Sequence, residues 1–185
     1  MGRTYEAIDD ALAGFLRAQH LFFVATAPER DGHVNVSPKG LDTFAVTGPT
    51  SVAYLDLTGS GVETIAHLRE NGRITLLFCA FEGAPRIVRL YGRGRAILAG
   101  EPGYEALASR FPAYLGARSV IEVTLERIAD SCGYAVPRYR YEGERPQLIE
   151  WADRKGQDGV VAYRAEWNAT SIDGLPGIDS AKPRS

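Results

Sequence analysis

At 185 residues, with 45% hydrophobic and 24% charged residues, the chain has the size and composition of one soluble globular domain with a sizeable core. A formal net charge of −2 gives no global attraction to nucleic acid or to an anionic membrane surface. No apolar run approaches the ~18 residues that span a bilayer, and the opening MGRTYEAIDDALAGFL carries acids where a secretory leader is apolar throughout, so the expectation is a cytoplasmic protein with no nucleic-acid or membrane partner.

In chain order, residues 4–20 read as an amphipathic helix, with Ile8, Leu12, Phe15 and Leu16 at helical spacing. LFFVATA (21–27) reads as a strand, joined through the Asp31-Gly32 turn to a second strand at His33–Ser37. Phe44–Val46 is a short strand candidate, and SVAYLDL (51–57) a stronger one. TGSG then leads into a helix, VETIAHLRENG, with Ser60 and Glu63 spaced as a capping box and Gly72 as its stop. Strands follow at 74–81 and 86–98, the second studded with arginine, with a short connection between them. A helix is expected at 102–111, strands at 120–128 and 132–136, and helical structure from Pro146 to Trp167. After Gly174 no packing pattern remains, so 175–185 reads as a flexible tail. Strands separated by tight turns, with helices at the ends and one in the middle, point to a closed or nearly closed antiparallel barrel.

Cys79 and Cys132 form neither a disulfide framework nor a metal motif, and His20, His33 and His67 lack ligand spacing, so no metal site is expected. No G-x-S-x-G, H-E-x-x-H, P-loop or C-x-x-C motif is present, and no carboxylate pair stands out as acid and base.

Three segments carry the candidate chemistry. A strand that passes through glycines into a helix start presents backbone N–H groups and the positive helix end to one point, as phosphate sites do; Thr58 leaves the strand there. The bland reading of the same residues is a turn with Ser60 as a structural cap. In VNVSPKG, Asn35, Ser37 and Lys39 share a strand face, and Pro38 marks an edge or bulge whose free peptide groups suit the polar edge of a flavin-like ring; a solvated strand end is the alternative. In the basic strand, a solvated outer face accounts for Arg93 and Arg95, which leaves Arg86 and Arg89 as the better anion ligands. Tyr163 and Trp167 are placed to cover a ligand ring or to pack at an interface.

The succession LFFVATA, VNVSPKG, AYLDLTGSGVETIAHLRENGRITLLFCAF and RIVRLYGRGRAIL resembles the pyridoxamine 5′-phosphate oxidase-like, FMN-binding split-barrel family, over roughly Leu21 to Leu98. The resemblance implies a mainly β (α+β) fold, a six-stranded antiparallel split barrel with flanking helices. The domain would span 1–174, with an N-terminal helix at 4–20, the barrel at 21–136 and a C-terminal helical region at 146–167. It further implies a homodimer with FMN at the subunit interface and a small-molecule substrate. Carried onto this sequence, Asn35, Val36 and Ser37 lie along the isoalloxazine, and Leu57 and Thr58 bond its polar edge. Gly61 and Thr64 approach the phosphate with Lys39 nearby, Arg86 and Val88 flank the ring, and Trp167 reaches the site from the partner subunit, while Arg89 stays a candidate anion ligand. The family's vitamer oxidases carry Ser-Arg-Lys in the phosphate turn, where this chain has Val62-Glu63-Thr64, and their C-terminal Arg-x-His is absent around Trp167. The expected activity is therefore that of an FMN-dependent oxidoreductase other than a true pyridoxamine phosphate oxidase. An F420-dependent reductase on the same fold, or a non-catalytic flavin- or haem-binding module, are the alternatives.

Overall fold

The computed structural model describes residues 2–178, so 179–185 of the expected tail lie outside the described residues. The chain opens with a two-residue strand, β1 (Thr4–Tyr5), and only then enters α1 (Asp10–Arg17). The expected 4–20 helix is shortened because Asp9 caps it, accepting the Leu12 N–H at 2.7 Å. There follow β2 (Phe22–Thr26), β3 (Asn35–Lys39), β4 (Phe44–Gly48), β5 (Ser51–Leu57), α2 (Glu63–Asn71), β6 (Arg73–Cys79), β7 (Ile87–Leu98), α3 (Tyr104–Ala108), β8 (Ala117–Ser131) and α4 (Gln147–Trp167). Residues 132–136 form no strand. The α4 span is broken at Gly156, whose φ of 67° and ψ of 174° no helical residue adopts.

All strand pairs are antiparallel, in the order β3-β2-β6-β7-β8-β5-β4, with β1 added beside β8. The sheet thus has eight strands where six were expected, while the mainly β architecture with flanking helices stands. β3 and β4 end the path, and side chains rather than a ladder bring these ends together. Phe44 of β4 packs edge-on against Phe78 of β6, with ring centroids 4.9 Å apart, and lies 5.5 Å from Phe22 of β2. Lys39 of β3 reaches Asp56 of β5. The barrel is therefore split, and sealed at its seam by an aromatic cluster and an ion pair.

Strand alternation fills the interior: Phe22 and Val24, Leu76 and Phe78, Val88 and Leu90 all point inward and are fully buried. Leu12 and Leu16 of α1 close one part of this core, and Ile65 and Leu68 of α2 another. A second cluster, in which Tyr104 and Phe111 cover Leu55, Ile97 and Val120, lies on the other side of the sheet. This is why β5 is buried on both faces and reads as a continuous apolar run. On β7 the alternation places Arg93 and Arg95 outside, paired with Glu126 and Glu122 of β8.

α2 stops at Gly72, whose φ of 70° is the left-handed conformation expected of it. Its start differs from expectation: Val62 takes the N-cap position, and no side chain caps the helix. Residues 175–178, read from sequence as tail, are tied back by Ser171 N–H to Leu175 O, Gly177 N–H to Ala169 O and Ile178 N–H to Asn168 O.

Candidate functional site

Asp56 sits at the end of β5 with its side chain fully buried, a position that demands cations. Arg118, at the start of β8, donates from Nε to Asp56 Oδ2 at 2.7 Å, and Lys39 Nζ donates to Oδ1 at 2.9 Å. Burial alone would raise the Asp56 carboxyl, but these two cations overcome it and hold the group well below the ordinary carboxylate range. Arg118 also donates from Nη1 to the carbonyl of Gly61 and to Asn168 Oδ1, both at 2.8 Å, while Asn168 Nδ2 reaches the carbonyl of Gly59 at 3.0 Å. The glycine turn between β5 and α2 is thus clamped from inside by a buried ionic network and by the residue that ends α4.

Outside this clamp lies a cleft of about 600 Å³. Its walls are Val34, Asn35 and Val36 at the start of β3, the turn from Ser60 to Glu63, and Trp167 and Ile172 from the C-terminal segment. Val34, Val36, Trp167 and Ile172 are all more than half exposed, an apolar rim uncovered in the single chain. Because β3 ends the sheet path, one of its edges pairs with no other strand among the described residues, so its free peptide groups border this rim.

Asn35 holds β3 against α2. Its Nδ2 donates to Thr64 Oγ1 at 3.0 Å and to Thr26 Oγ1 at 3.3 Å, and its Oδ1 accepts from Ser37 at 3.1 Å. Thr26 continues the chain inward to Nδ1 of the buried His67 at 3.0 Å. Burial lowers the pKa of His67, against the pull of Asp173, Glu63 and Glu70.

The residues expected from sequence to bind a cofactor therefore divide. Asn35, Val36, Gly61 and Trp167 line the cleft together. Ser37 and Thr64 stand directly behind it as hydrogen-bond partners of Asn35. Lys39 is engaged by Asp56. Leu57 and Thr58 face the start of α4 instead; Thr58 Oγ1 donates to Gly116 O at 2.7 Å and accepts from Arg164 Nε at 2.8 Å. Two strands, β2 and β6, separate β7 from β3, so Arg86, Val88 and Arg89 do not line the cleft within one chain. Arg86 binds Tyr5 and Asp130, Val88 is core, and Arg89 bonds Ser131.

Sequence reasoning passed over Asp56, Arg118 and Asn168, which shape the turn; Glu63, expected there as a capping acid in the phosphate turn, is a wall of the cleft. A carboxylate inside the apolar run SVAYLDL was the available signal, since a buried acid requires a buried partner. Among the described residues no cluster of three metal-ligating side chains occurs, and no helix is long and apolar enough to cross a membrane.

Comparison with known proteins agrees with this architecture. The family model described as pyridoxamine 5′-phosphate oxidase matches residues 8–132. The chain is 42% identical over 194 residues to the pyridoxamine 5′-phosphate oxidase family protein ustO of Aspergillus flavus, covering 96% of this chain and 78% of that protein. Among solved structures, a point variant of HupZ from Group A Streptococcus superposes with a TM-score of 0.52 at 21% identity, over 67% of this chain and 99% of that one. A Lactobacillus delbrueckii protein assigned provisionally to the pyridoxamine 5′-phosphate oxidases gives 0.53 at 16% identity, over 68% and 98%. These two share the fold. The chain belongs to the pyridoxamine 5′-phosphate oxidase family.

Proposed function

We propose that this member of the family is a flavin-dependent oxidoreductase, acting on a small molecule as a homodimer, with its flavin in the cleft between β3, the Ser60–Glu63 turn and Trp167. The observation that carries the reading is the meeting of Asn35, Val36, Gly61 and Trp167 in one cleft from three distant parts of the sequence. The cleft volume lies within the ~300–1,000 Å³ of small-molecule sites. Its fit to a planar ring is good: apolar Val34 and Val36 offer a flat wall, Trp167 an aromatic surface, and the open edge of β3 peptide groups for the ring's polar rim.

A bound flavin supplies the hydride or electron transfer, which frees the chain from needing an acid–base pair of its own. The chain's residues position and enclose. The Asn35–Thr64 bond fixes the start of β3 against α2, and the Arg118 and Asn168 clamp fixes the turn. Trp167 adds an aromatic side chain to the cleft wall.

Homodimerisation draws support from the outward face of the sheet. There Ala25 stands opposite Val36, Phe23 opposite Pro38, and Leu77 beside Phe23, an apolar surface running from the cleft across three strands. FMN is the flavin the family resemblance implies. An F420-type cofactor, with a longer and more acidic tail, would need cations that this cleft's walls do not contain among the described residues.

The test of catalysis is anaerobic reduction of the flavin-loaded protein by NADH or NADPH, followed by reoxidation with added acceptors. Repeated turnover supports an enzyme. A flavin that stays oxidised with both donors, and turns over with no acceptor, would make the protein a carrier or sensor.

A further inference from the structure

We infer that Glu63 sets the ligand specificity of the cleft: its carboxylate stands where a flavin phosphate is expected, so the chain recognises the ring system and gains little from the phosphate. The inference rests on the flavin reading above.

Four features of the cleft lead to it. The residues that open α2 line the cleft, and no side chain caps that helix, so its first N–H groups and its positive pole are the natural anchor for an anion. The first residue of that helix is itself an acid, Glu63. The Glu63 side chain folds back over the turn, so that a Cβ placed on Gly61 would collide with the carboxylate. Its Oε1 accepts the N–H of Ile172 at 3.3 Å, which holds it in the cleft wall.

No lysine or arginine lines the cleft among the described residues. The cations expected from the sequence are committed elsewhere, Lys39 to Asp56, Arg86 to Tyr5 and Asp130, and Arg89 to Ser131; so are Arg118, to Asp56, and Arg164, to Thr58 and the carbonyl of Ala117. A second carboxylate approaches the same end. Asp173 accepts from the backbone N–H of His33 at 2.8 Å and meets its Nδ1 at 2.7 Å, and His33 is itself a wall of the cleft. A phosphate placed there would face carboxylate at close range with no cation from this chain to offset it.

The consequence is read by binding rather than turnover. Apoprotein is titrated with riboflavin and with FMN, following the quenching of flavin fluorescence at fixed salt. Riboflavin and FMN are expected to bind within about tenfold of each other. Glu63→Gln keeps an oxygen for the Ile172 N–H and removes the charge; it should tighten FMN by roughly fivefold to tenfold and leave riboflavin unchanged. Glu63→Lys should tighten FMN further. An FMN preference well above about tenfold in the unmodified protein, or an unchanged FMN affinity in Glu63→Gln, overturns the inference and leaves the flavin reading in place. Binding of neither flavin overturns both.

Discussion

Arg118 donates to Asp56 across 2.7 Å with both side chains buried, and it is the hinge between the fold and the candidate site. The same guanidinium holds Gly61 and Asn168, so the pair that stabilises the β5–β8 junction also sets the shape of the turn at the cleft. Removing one member of such a pair leaves the other charge buried and alone. Arg118→Met is expected to destabilise the protein by about 3–5 kcal/mol. Asp56→Leu combined with Arg118→Met should cost less than the sum of the two single changes, because neither charge is then stranded. Urea unfolding of the three variants measures this, and simple additivity would contradict it.

Lys39 separates two accounts of the seam. As a partner of Asp56, with 20% of its side chain exposed, it supports the fold, and Lys39→Ala should cost about 1–2 kcal/mol of stability while changing FMN affinity less than about threefold. A tenfold loss of affinity with stability unchanged would assign Lys39 to the phosphate.

Trp167 and its neighbour Asn168 should part company on mutation. Trp167 is 52% exposed, so Trp167→Ala is expected to move stability by no more than about 0.5 kcal/mol and to weaken flavin binding roughly tenfold through the lost ring contact. Asn168 is buried and bonds both Arg118 and Gly59, so Asn168→Ala should lower stability by about 1–3 kcal/mol. Thermal unfolding beside a flavin titration distinguishes the two behaviours.

His67 gives stability a pH dependence. Burial lowers its pKa in the folded state, so below the ordinary histidine value, near pH ~6.5, the unfolded chain binds the proton more readily. Its contribution is present above that pH and lost as the pH falls through and below it. His67→Gln should flatten the fall in unfolding free energy between about pH 7.5 and 5.5. An equally steep fall in the variant would place the titrating group elsewhere.

Much of this molecule was legible in its sequence where local chemistry decides local structure. The stop at Gly72 rests on a left-handed conformation that glycine favours, and the edge position of Pro38 on its missing N–H, whereas the expected tight hairpin at Asp31-Gly32 is a longer connection over residues 27–34. The family followed from the order of such elements. What escaped was set by distant contacts. The helical pattern starts at residue 4, but Thr4 and Tyr5 pair with Ala129 and Ile128 of β8. Ser60 and Glu63 have capping-box spacing, yet the helix begins two residues later and Glu63 turns to Ile172, 109 residues away. Lys39 beside a glycine turn reads as an anion ligand until Asp56 is seen to be buried next to it. The cleft itself needs β3, the turn and the C-terminal segment together, and no periodicity links those three.

The central claim, a flavin held in this cleft, is tested most directly by the visible absorption spectrum of the purified protein before and after saturation with FMN, repeated with Trp167→Ala. The account predicts a flavin spectrum perturbed from that of free flavin, release of intact flavin on denaturation, and weaker retention in the variant. A colourless protein that takes up neither FMN nor riboflavin would contradict it.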